Sequence, residues 1–116
     1  MVFSLSEIVV LNQNSDFRRV YSRGKSYPDK SLVTYVMKNK LGCTRYGITA
    51  GKKIGNAVER NRSRRVIRAA FSEVKDAVLD GYDIVFVARG KTKFLKSQVI
   101  KKAMLEHLSN AGAIRK

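Results

Sequence analysis

The strongest constraint on how this chain folds is a short segment that is apolar at consecutive positions. Tyr82–Ala88 follows the turn residues Asp80-Gly81 and contains the run Ile84-Val85-Phe86-Val87. Side chains alternate between the two faces of a strand, so such a run predicts a strand that is buried on both faces. The segment is therefore expected to be a central strand of a sheet.

Two earlier segments show the composition and alternation of strands. Ser31–Lys38 is rich in β-branched and aromatic residues, and places Val33, Tyr35 and Met37 on one face. A further strand is predicted from about residue 45 to 51, and Asn39–Thr44 is expected to join these two strands as a hairpin. Residues 1–11 are weakly patterned and fit either an edge strand or a flexible segment.

Three segments are predicted to be helices. The first begins near Asn14, where Ser15 can cap the free amides, and ends at Gly24. The others span about residues 58–79 and 96–110, where apolar residues recur at helical spacing. The order α-β-β-α-β-α, with room for one short strand after the first helix, predicts a two-layer α+β sandwich. The 116 residues are expected to form a single domain.

Charge is the compositional outlier of this chain. It carries 24 Lys and Arg against 9 Asp and Glu, a formal net charge of +15. Such a field attracts polyanions, with nucleic acid the first candidate and an anionic membrane surface the second. No apolar run approaches the roughly 20 residues that a membrane span needs. With one cysteine (Cys43) and one histidine (His107), neither an internal disulfide nor the usual zinc site is expected. A cytoplasmic protein is predicted, with Cys43 as a small apolar filler near a loop and His107 in a structural or surface role.

The basic charge concentrates in the segment Lys52–Arg68, which contains a single acid, Glu59. At 100° per residue, one side of the helix is apolar and the other side is polar. The apolar side gathers Val66, Ile67, Ala70 and Val74, and the polar side gathers Asn61, Arg64, Arg65 and Arg68. A solvated charged face is the alternative interpretation, but the near absence of interleaved acids favours a nucleic-acid surface. Arginine also suits phosphate, which its guanidinium binds in a two-point geometry.

The same segment resembles the signature of the bacterial ribonuclease P protein family. The core of that signature is Arg60-Asn61-Arg62 followed by the basic pair Arg64-Arg65. Other marks of the family occur in the same order, and the resemblance covers about residues 15–105. These marks are Asp16-Phe17, Tyr21 and Gly24 upstream, Arg45-Tyr46-Gly47-Ile48 before the signature, and Tyr82-Asp83-Ile84-Val85 with Ala88-Arg89 after it.

The resemblance implies a protein subunit of an endoribonuclease that removes the 5′ leader of precursor tRNA. The residues implied to bind the catalytic RNA are Lys52, Lys53, Arg60, Asn61, Arg62, Arg64, Arg65 and Arg68. Those implied to bind the single-stranded leader are Phe17, Tyr21, Val33 and Tyr35, in a cleft between the first helix and the sheet. Aromatic rings suit this task because stacking tolerates any base. From spacing alone, ordinary core positions are the favoured interpretation for Phe17 and Tyr21, which stand at i and i+4.

The resemblance also implies a specific topology and a division of labour. The basic helix would connect two strands by a left-handed crossover, as in the second domain of ribosomal protein S5. The chemistry would belong to the RNA subunit and its Mg²⁺ ions, with no cofactor bound by the protein alone. The implied partners are the catalytic RNA and precursor tRNA, with no membrane and no obligate protein partner.

The side chains themselves do not form an evident catalytic set. Asp76, Asp80 and Asp83 are candidate metal ligands, but their positions fit capping and solvation better. A protein nuclease would need clustered carboxylates or paired histidines. Two other hypotheses stay open at this point: a ribosomal-type protein that neutralises rRNA, and a self-sufficient metal nuclease.

Overall fold

The computed structural model describes residues 8–115, which form a five-stranded sheet and three helices. The strands are β1 (Ile8–Val10), β2 (Lys25–Pro28), β3 (Leu32–Lys38), β4 (Thr44–Thr49) and β5 (Tyr82–Ala88). The helices are α1 (Asn14–Arg23), α2 (Ala57–Val74) and α3 (Ser97–Asn110). The short strand that the sequence left room for is β2. Of the weakly patterned residues 1–11, Ile8–Val10 forms an edge strand, and residues 1–7 lie outside the described part.

The strand order in the sheet is β1-β4-β5-β3-β2. Strand β5 is central, as predicted, and pairs in parallel with β4 and antiparallel with β3. The predicted hairpin between β3 and β4 is therefore wrong, since these strands are not neighbours. The physical reason is that β5 is apolar on both faces, so that burial of both faces in the centre of the sheet stabilises it most. Helix α2 makes the predicted crossover between the parallel strands β4 and β5.

The helices cover the two faces of the sheet unequally. Helices α2 and α3 pack together over one face, where Ile67 and Met104 join Ile84 and Phe86 in the main core. Helix α1 lies across the other face, where Val20 packs on Val85 in a smaller core. This arrangement confirms the predicted α+β fold class. Because α1 is short, it leaves part of its face of the sheet open.

The helix ends show which local sequence signals determine them. Helix α2 begins with a reciprocal capping box: Glu59 N donates to Asn56 Oδ1 at 2.9 Å, and Asn56 N donates to Glu59 Oε1 at 3.0 Å. The prediction that Ser15 caps α1 is wrong, because α1 already begins at Asn14 and the capping position is Gln13, which makes no side-chain cap bond. Helix α2 ends at Val74, earlier than predicted, and continues as a single 3-10 turn.

Two ionisable side chains are buried within residues 8–115. Asp83 is completely buried on β5 and accepts hydrogen bonds from Arg45 and Asn39. The prediction that Asp83 is solvated is therefore wrong. His107 of α3 lies in the core with its Nδ1 at 2.7 Å from Thr34 Oγ1, which confirms its structural role. Burial lowers the pKa of His107, so the imidazole is neutral near pH 7.

Candidate nucleic-acid interface

The outer face of α2 is a continuous basic surface. Helical periodicity buries Ile67, Ala70 and Val74 against the sheet, and this fixes which side of the helix faces outward. A shallow depression on the outer side is lined by Val58, Asn61, Arg64, Arg65 and Arg68. The four polar residues predicted to share a face are therefore brought together, and we name this group with Val58 the arginine face.

The arginine face carries no compensating acids. Within residues 8–115, none of the arginines of α2 forms a salt bridge with a carboxylate. The one acid of the segment, Glu59, is turned into the helix cap and also binds Lys93 Nζ at 3.0 Å. The backbone amide of Asn56 and then the ammonium of Lys93 hold the pKa of Glu59 below its ordinary value. The guanidinium groups are thus left to repel one another unless an anion binds between them.

The other predicted basic residues surround the arginine face without all joining it. Lys52 and Lys53 are exposed in a 3-10 turn just before α2. Arg62 lies on the flank of α2 that faces α3, where it lines a separate groove. Arg60 lies at the margin of the core, half-buried, with its Nε buried and without a hydrogen-bond partner. Arg60 does not line the depression of the arginine face.

A second depression, which we name the α1 groove, runs between α1 and the end of β4. It is lined by Asn14, Phe17, Arg18, Tyr21, Ile48, Thr49, Ala50, Gly51 and Arg64. Phe17 and Tyr21 are thus neither ordinary core residues nor free surface residues. Tyr21 is 38% exposed, and its hydroxyl lies 3.0 Å from Thr49 Oγ1, which fixes its ring at the groove.

The two predicted strand residues lie on the same face of the sheet as α1. The rings of Tyr35 and Tyr21 meet edge to face with centroids 5.0 Å apart, so Tyr35 supports the wall of the α1 groove. Val33 does not line the groove itself. It lies opposite Val87, which in turn lies opposite Thr49, and all three side chains are half-buried. This row of the sheet extends beyond the cover of α1.

The closeness of α1 to the sheet depends on a glycine. Gly47 of β4 lies directly beneath the ring of Phe17: a Cβ at this position would lie 2.5 Å from Phe17 Cε1 and 2.6 Å from Cζ. Any side chain here would displace the aromatic ring from its place in the α1 groove. The Arg45-Tyr46-Gly47-Ile48 segment therefore has a clear steric function.

Arg64 belongs to both the arginine face and the α1 groove. Its Nη1 donates to Asn61 Oδ1 at 3.1 Å, and its Nη2 lies 3.5 Å from the carbonyl oxygen of Ala50. The two sites therefore form one continuous surface. Sequence reasoning missed Asn14 and Arg18 of α1 and the groove residues at the end of β4. Helical spacing could have found the first two, because they share a face of α1 with Phe17 and Tyr21. The end of β4 is placed there by its pairing with β5, which the alternation pattern does not reveal.

A basic helix face that continues into an aromatic groove on an α+β sheet defines a small nucleic-acid-binding protein. Comparison with known proteins identifies the family within this class. The family model described as Ribonuclease P matches residues 5–112. The chain therefore belongs to the ribonuclease P protein family, as the signature at Arg60–Arg65 predicted.

Individual relatives agree with this assignment. The ribonuclease P protein component of Clostridioides difficile is 48% identical over 84 residues, which cover 72% of this chain and 74% of that protein. That of Pelotomaculum thermopropionicum is 43% identical over 102 residues, covering 88% and 91% respectively. The solved structure of the Staphylococcus aureus RNase P protein aligns with a TM-score of 0.78 at 34% identity, covering 91% of this chain and 97% of that one.

Residues 8–115 were compared with the requirements of a metal site and of a membrane-spanning helix. Within residues 8–115, no three His, Cys, Asp or Glu side chains lie close enough together to hold a metal ion. No helix in this part of the chain is long and apolar enough to cross a membrane.

Proposed function

We propose that this chain binds the catalytic RNA of ribonuclease P through the arginine face and holds the 5′ leader of precursor tRNA in the α1 groove. The observation that carries the proposal is the position of Arg64, which lines both sites. A leader in the groove would thus lie beside the RNA that cleaves it. The result of the joint action is a mature tRNA 5′ end.

The arginine face suits a structured RNA partner. Its guanidinium groups stand at helical spacing on a helix whose apolar side packs on the sheet. Each guanidinium can bind phosphate in a two-point geometry or stack on a base. Lys52 and Lys53 extend the positive surface at the beginning of the helix. Binding would release counterions and therefore depend strongly on salt.

The α1 groove suits a single strand of variable sequence. Its walls are the rings of Phe17 and Tyr21, which offer stacking surfaces to any base. Arg18 and Arg64 provide positive charge at its edges. The row Thr49, Val87 and Val33 continues the path across the open part of the sheet. A paired strand would not present unstacked bases to these rings.

The hydrolysis itself is assigned to the RNA component and its Mg²⁺ ions. Relatives of this chain are named as the protein component of ribonuclease P, which implies a second component. A protein with a net charge of +15 would reduce the repulsion between two RNA molecules and so raise the affinity for substrate and metal ions. The whole assembly would act in the cytoplasm on precursor tRNA.

The test is cleavage of a precursor tRNA at low Mg²⁺ with catalytic RNA alone, protein alone, and both together. Activity that requires both components is expected. Cleavage by protein alone would identify a metal nuclease instead, and an unchanged activity of the RNA would leave a general rRNA-type binding protein.

Matched variants separate the two halves of the surface. Arg65→Gln with Arg68→Gln should weaken binding of the catalytic RNA, whereas Tyr21→Ala should weaken binding of leader-carrying tRNA more than that of mature tRNA. Lys40→Gln with Lys102→Gln removes the same charge at exposed positions outside both sites and serves as the control. Equal losses in all variants would contradict the assignment.

A further inference from the structure

A third feature, on the opposite flank of α2 from the α1 groove, is an exposed aromatic ring. Phe94 ends a 3-10 turn, Thr92–Phe94, and is 76% exposed, the largest exposure among the large apolar residues in the described chain. It stands in a groove between α2 and the beginning of α3. That groove is lined by Arg62, Arg65, Val66, Ala69, Lys93, Phe94, Leu95, Lys96 and Ser97.

The turn that carries Phe94 is firmly anchored. Thr92 is completely buried, and its hydroxyl donates to the carbonyl of Ser31 at 2.5 Å and accepts from Arg89 N at 2.8 Å. Backbone bonds from Phe94 N to Lys91 O and from Leu95 N to Thr92 O close the turn at 2.9 and 3.1 Å. The ring is therefore presented by a fixed backbone, which reduces the entropy that a ligand would have to overcome.

Cations surround the ring on each side. Lys93 Nζ lies 5.2 Å from the ring centroid and is itself held by Glu59 Oε2 at 3.0 Å and by the Ile54 carbonyl at 2.6 Å. Arg62 and Arg65 line the α2 side of the groove, and Lys96 lines the α3 side. Arg62, Arg65 and Lys96 form no salt bridge within residues 8–115. An exposed apolar ring beside such cations has the chemistry of a stacking site for a base between two phosphates.

We propose that Phe94 is a stacking platform for an unpaired base of the catalytic RNA, with the neighbouring phosphates bound by Arg62 and Arg65 on one side and Lys96 on the other. The inference rests on the proposed function of α2 and adds a second contact area on its other flank. Arg65 lines both this groove and the arginine face, so a single RNA can occupy both. A second copy of this chain is a poor occupant, because it would bring another +15 charge to a basic groove.

Binding of labelled catalytic RNA to Phe94→Ala, Phe94→Tyr and Leu41→Ala tests the proposal. Leu41 is 58% exposed, lies outside this groove, and serves as the matched apolar control. Phe94→Ala should weaken binding about 5- to 100-fold, the usual worth of one stacked base. Phe94→Tyr and Leu41→Ala should bind like the wild type. An unchanged affinity of Phe94→Ala would overturn the inference.

A spectroscopic variant identifies the occupant. The chain contains no tryptophan, so Phe94→Trp introduces a single tryptophan at the turn, whose emission can be excited apart from that of the five tyrosines. Catalytic RNA should quench its emission by stacking, and Leu41→Trp should respond little. Quenching by a short leader oligonucleotide but not by catalytic RNA would move the leader to this groove and overturn the inference. Failure of the wild-type protein to bind catalytic RNA at all would overturn the proposed function together with it, whereas normal binding without quenching would overturn only the role of Phe94.

Discussion

Arg45 and Asp83 face each other across the parallel pair β4–β5 and share two hydrogen bonds, from Nε at 2.9 Å and from Nη2 at 2.7 Å. Asn39 donates a third to the same carboxylate at 2.7 Å. Burial on its own would raise the pKa of Asp83, but the hydrogen bonds from Arg45 and Asn39 outweigh it and hold the pKa below its ordinary value. The Asp83 carboxylate is therefore charged in the folded protein at neutral pH, and its hydrogen-bond partners offset the cost of burying that charge.

Removal of one partner should destabilise the fold. Arg45→Met leaves a buried carboxylate without its counter-charge and should lower the free energy of unfolding by about 3–5 kcal/mol. Urea titration of Arg45→Met, Asp83→Val and the double variant measures this. The double variant should lose clearly less than the sum of the single variants, because the two groups compensate each other. Additive losses would contradict the coupling.

His107 makes stability depend on pH. Its imidazole is buried, which lowers its pKa in the folded state, with only weaker opposing effects from Asp29 and Glu106. The unfolded chain takes up the proton at about pH 6.5, so stability is fully present above that value and is lost as the pH falls below it. The free energy of unfolding should therefore fall between pH 7.5 and pH 5.5, with a slope of at most about 1.4 kcal/mol per pH unit for one proton. His107→Gln should reduce this fall, and an identical pH profile would show that another group titrates.

Substitution of Gly47, which lies beneath the ring of Phe17, should change the shape of the α1 groove. A Cβ at this position would collide with the ring of Phe17, so Gly47→Ala should displace that ring and cost about 1–3 kcal/mol of stability. The variant should lose affinity for leader-carrying tRNA while binding of catalytic RNA changes little. Gly90→Ala is the control, since nothing lies within 4 Å of a Cβ there and the residue does not line the α1 groove. Equal effects of the two substitutions would place the leader elsewhere.

Salt dependence should report the number of phosphate contacts on α2. The logarithm of the binding constant for catalytic RNA should fall linearly with the logarithm of the salt concentration. Replacing Arg65 by Gln should reduce the slope by about 1 if this residue contacts one phosphate. Lys102→Gln, on an exposed part of α3, should leave the slope unchanged. A flat salt response of the wild type would argue against electrostatic binding.

The elements of the fold were largely accessible from periodicity, whereas their pairing was not. The apolar run Ile84-Val85-Phe86-Val87 predicted a central strand, and the helical spacing of Ile67, Ala70 and Val74 predicted the inner side of α2. The pairing of β3 with β5 depends on which strand gains most from burial, a comparison between distant segments. Consecutive strands usually pair, so the sequence predicted a hairpin between β3 and β4. In the structure β5 lies between them instead, because it is the strand that is apolar on both faces.

The same distinction holds for the candidate site. The arginine face was predictable because it lies on a single helix with a fixed angular spacing. The α1 groove was predicted only in part, since Thr49 and Ala50 reach it through the pairing of β4 with β5. Phe94 gave no signal at all: the short basic segment around it resembles an ordinary loop, and only the buried anchor Thr92 fixes the exposure of its ring.

The central place of β5 has a consequence for the order of folding. Strands β3 and β4 are complete by residue 49, but the strand that joins them begins only at Tyr82. Neither can pair with β5 until α2 and β5 have been synthesised, so the β2–β3 hairpin can form locally but the centre of the sheet cannot. A topology with such distant contacts is expected to fold more slowly than a hairpin-based sheet of equal size. During synthesis, the unpaired edge of β3 would remain open to wrong partners until β5 emerges.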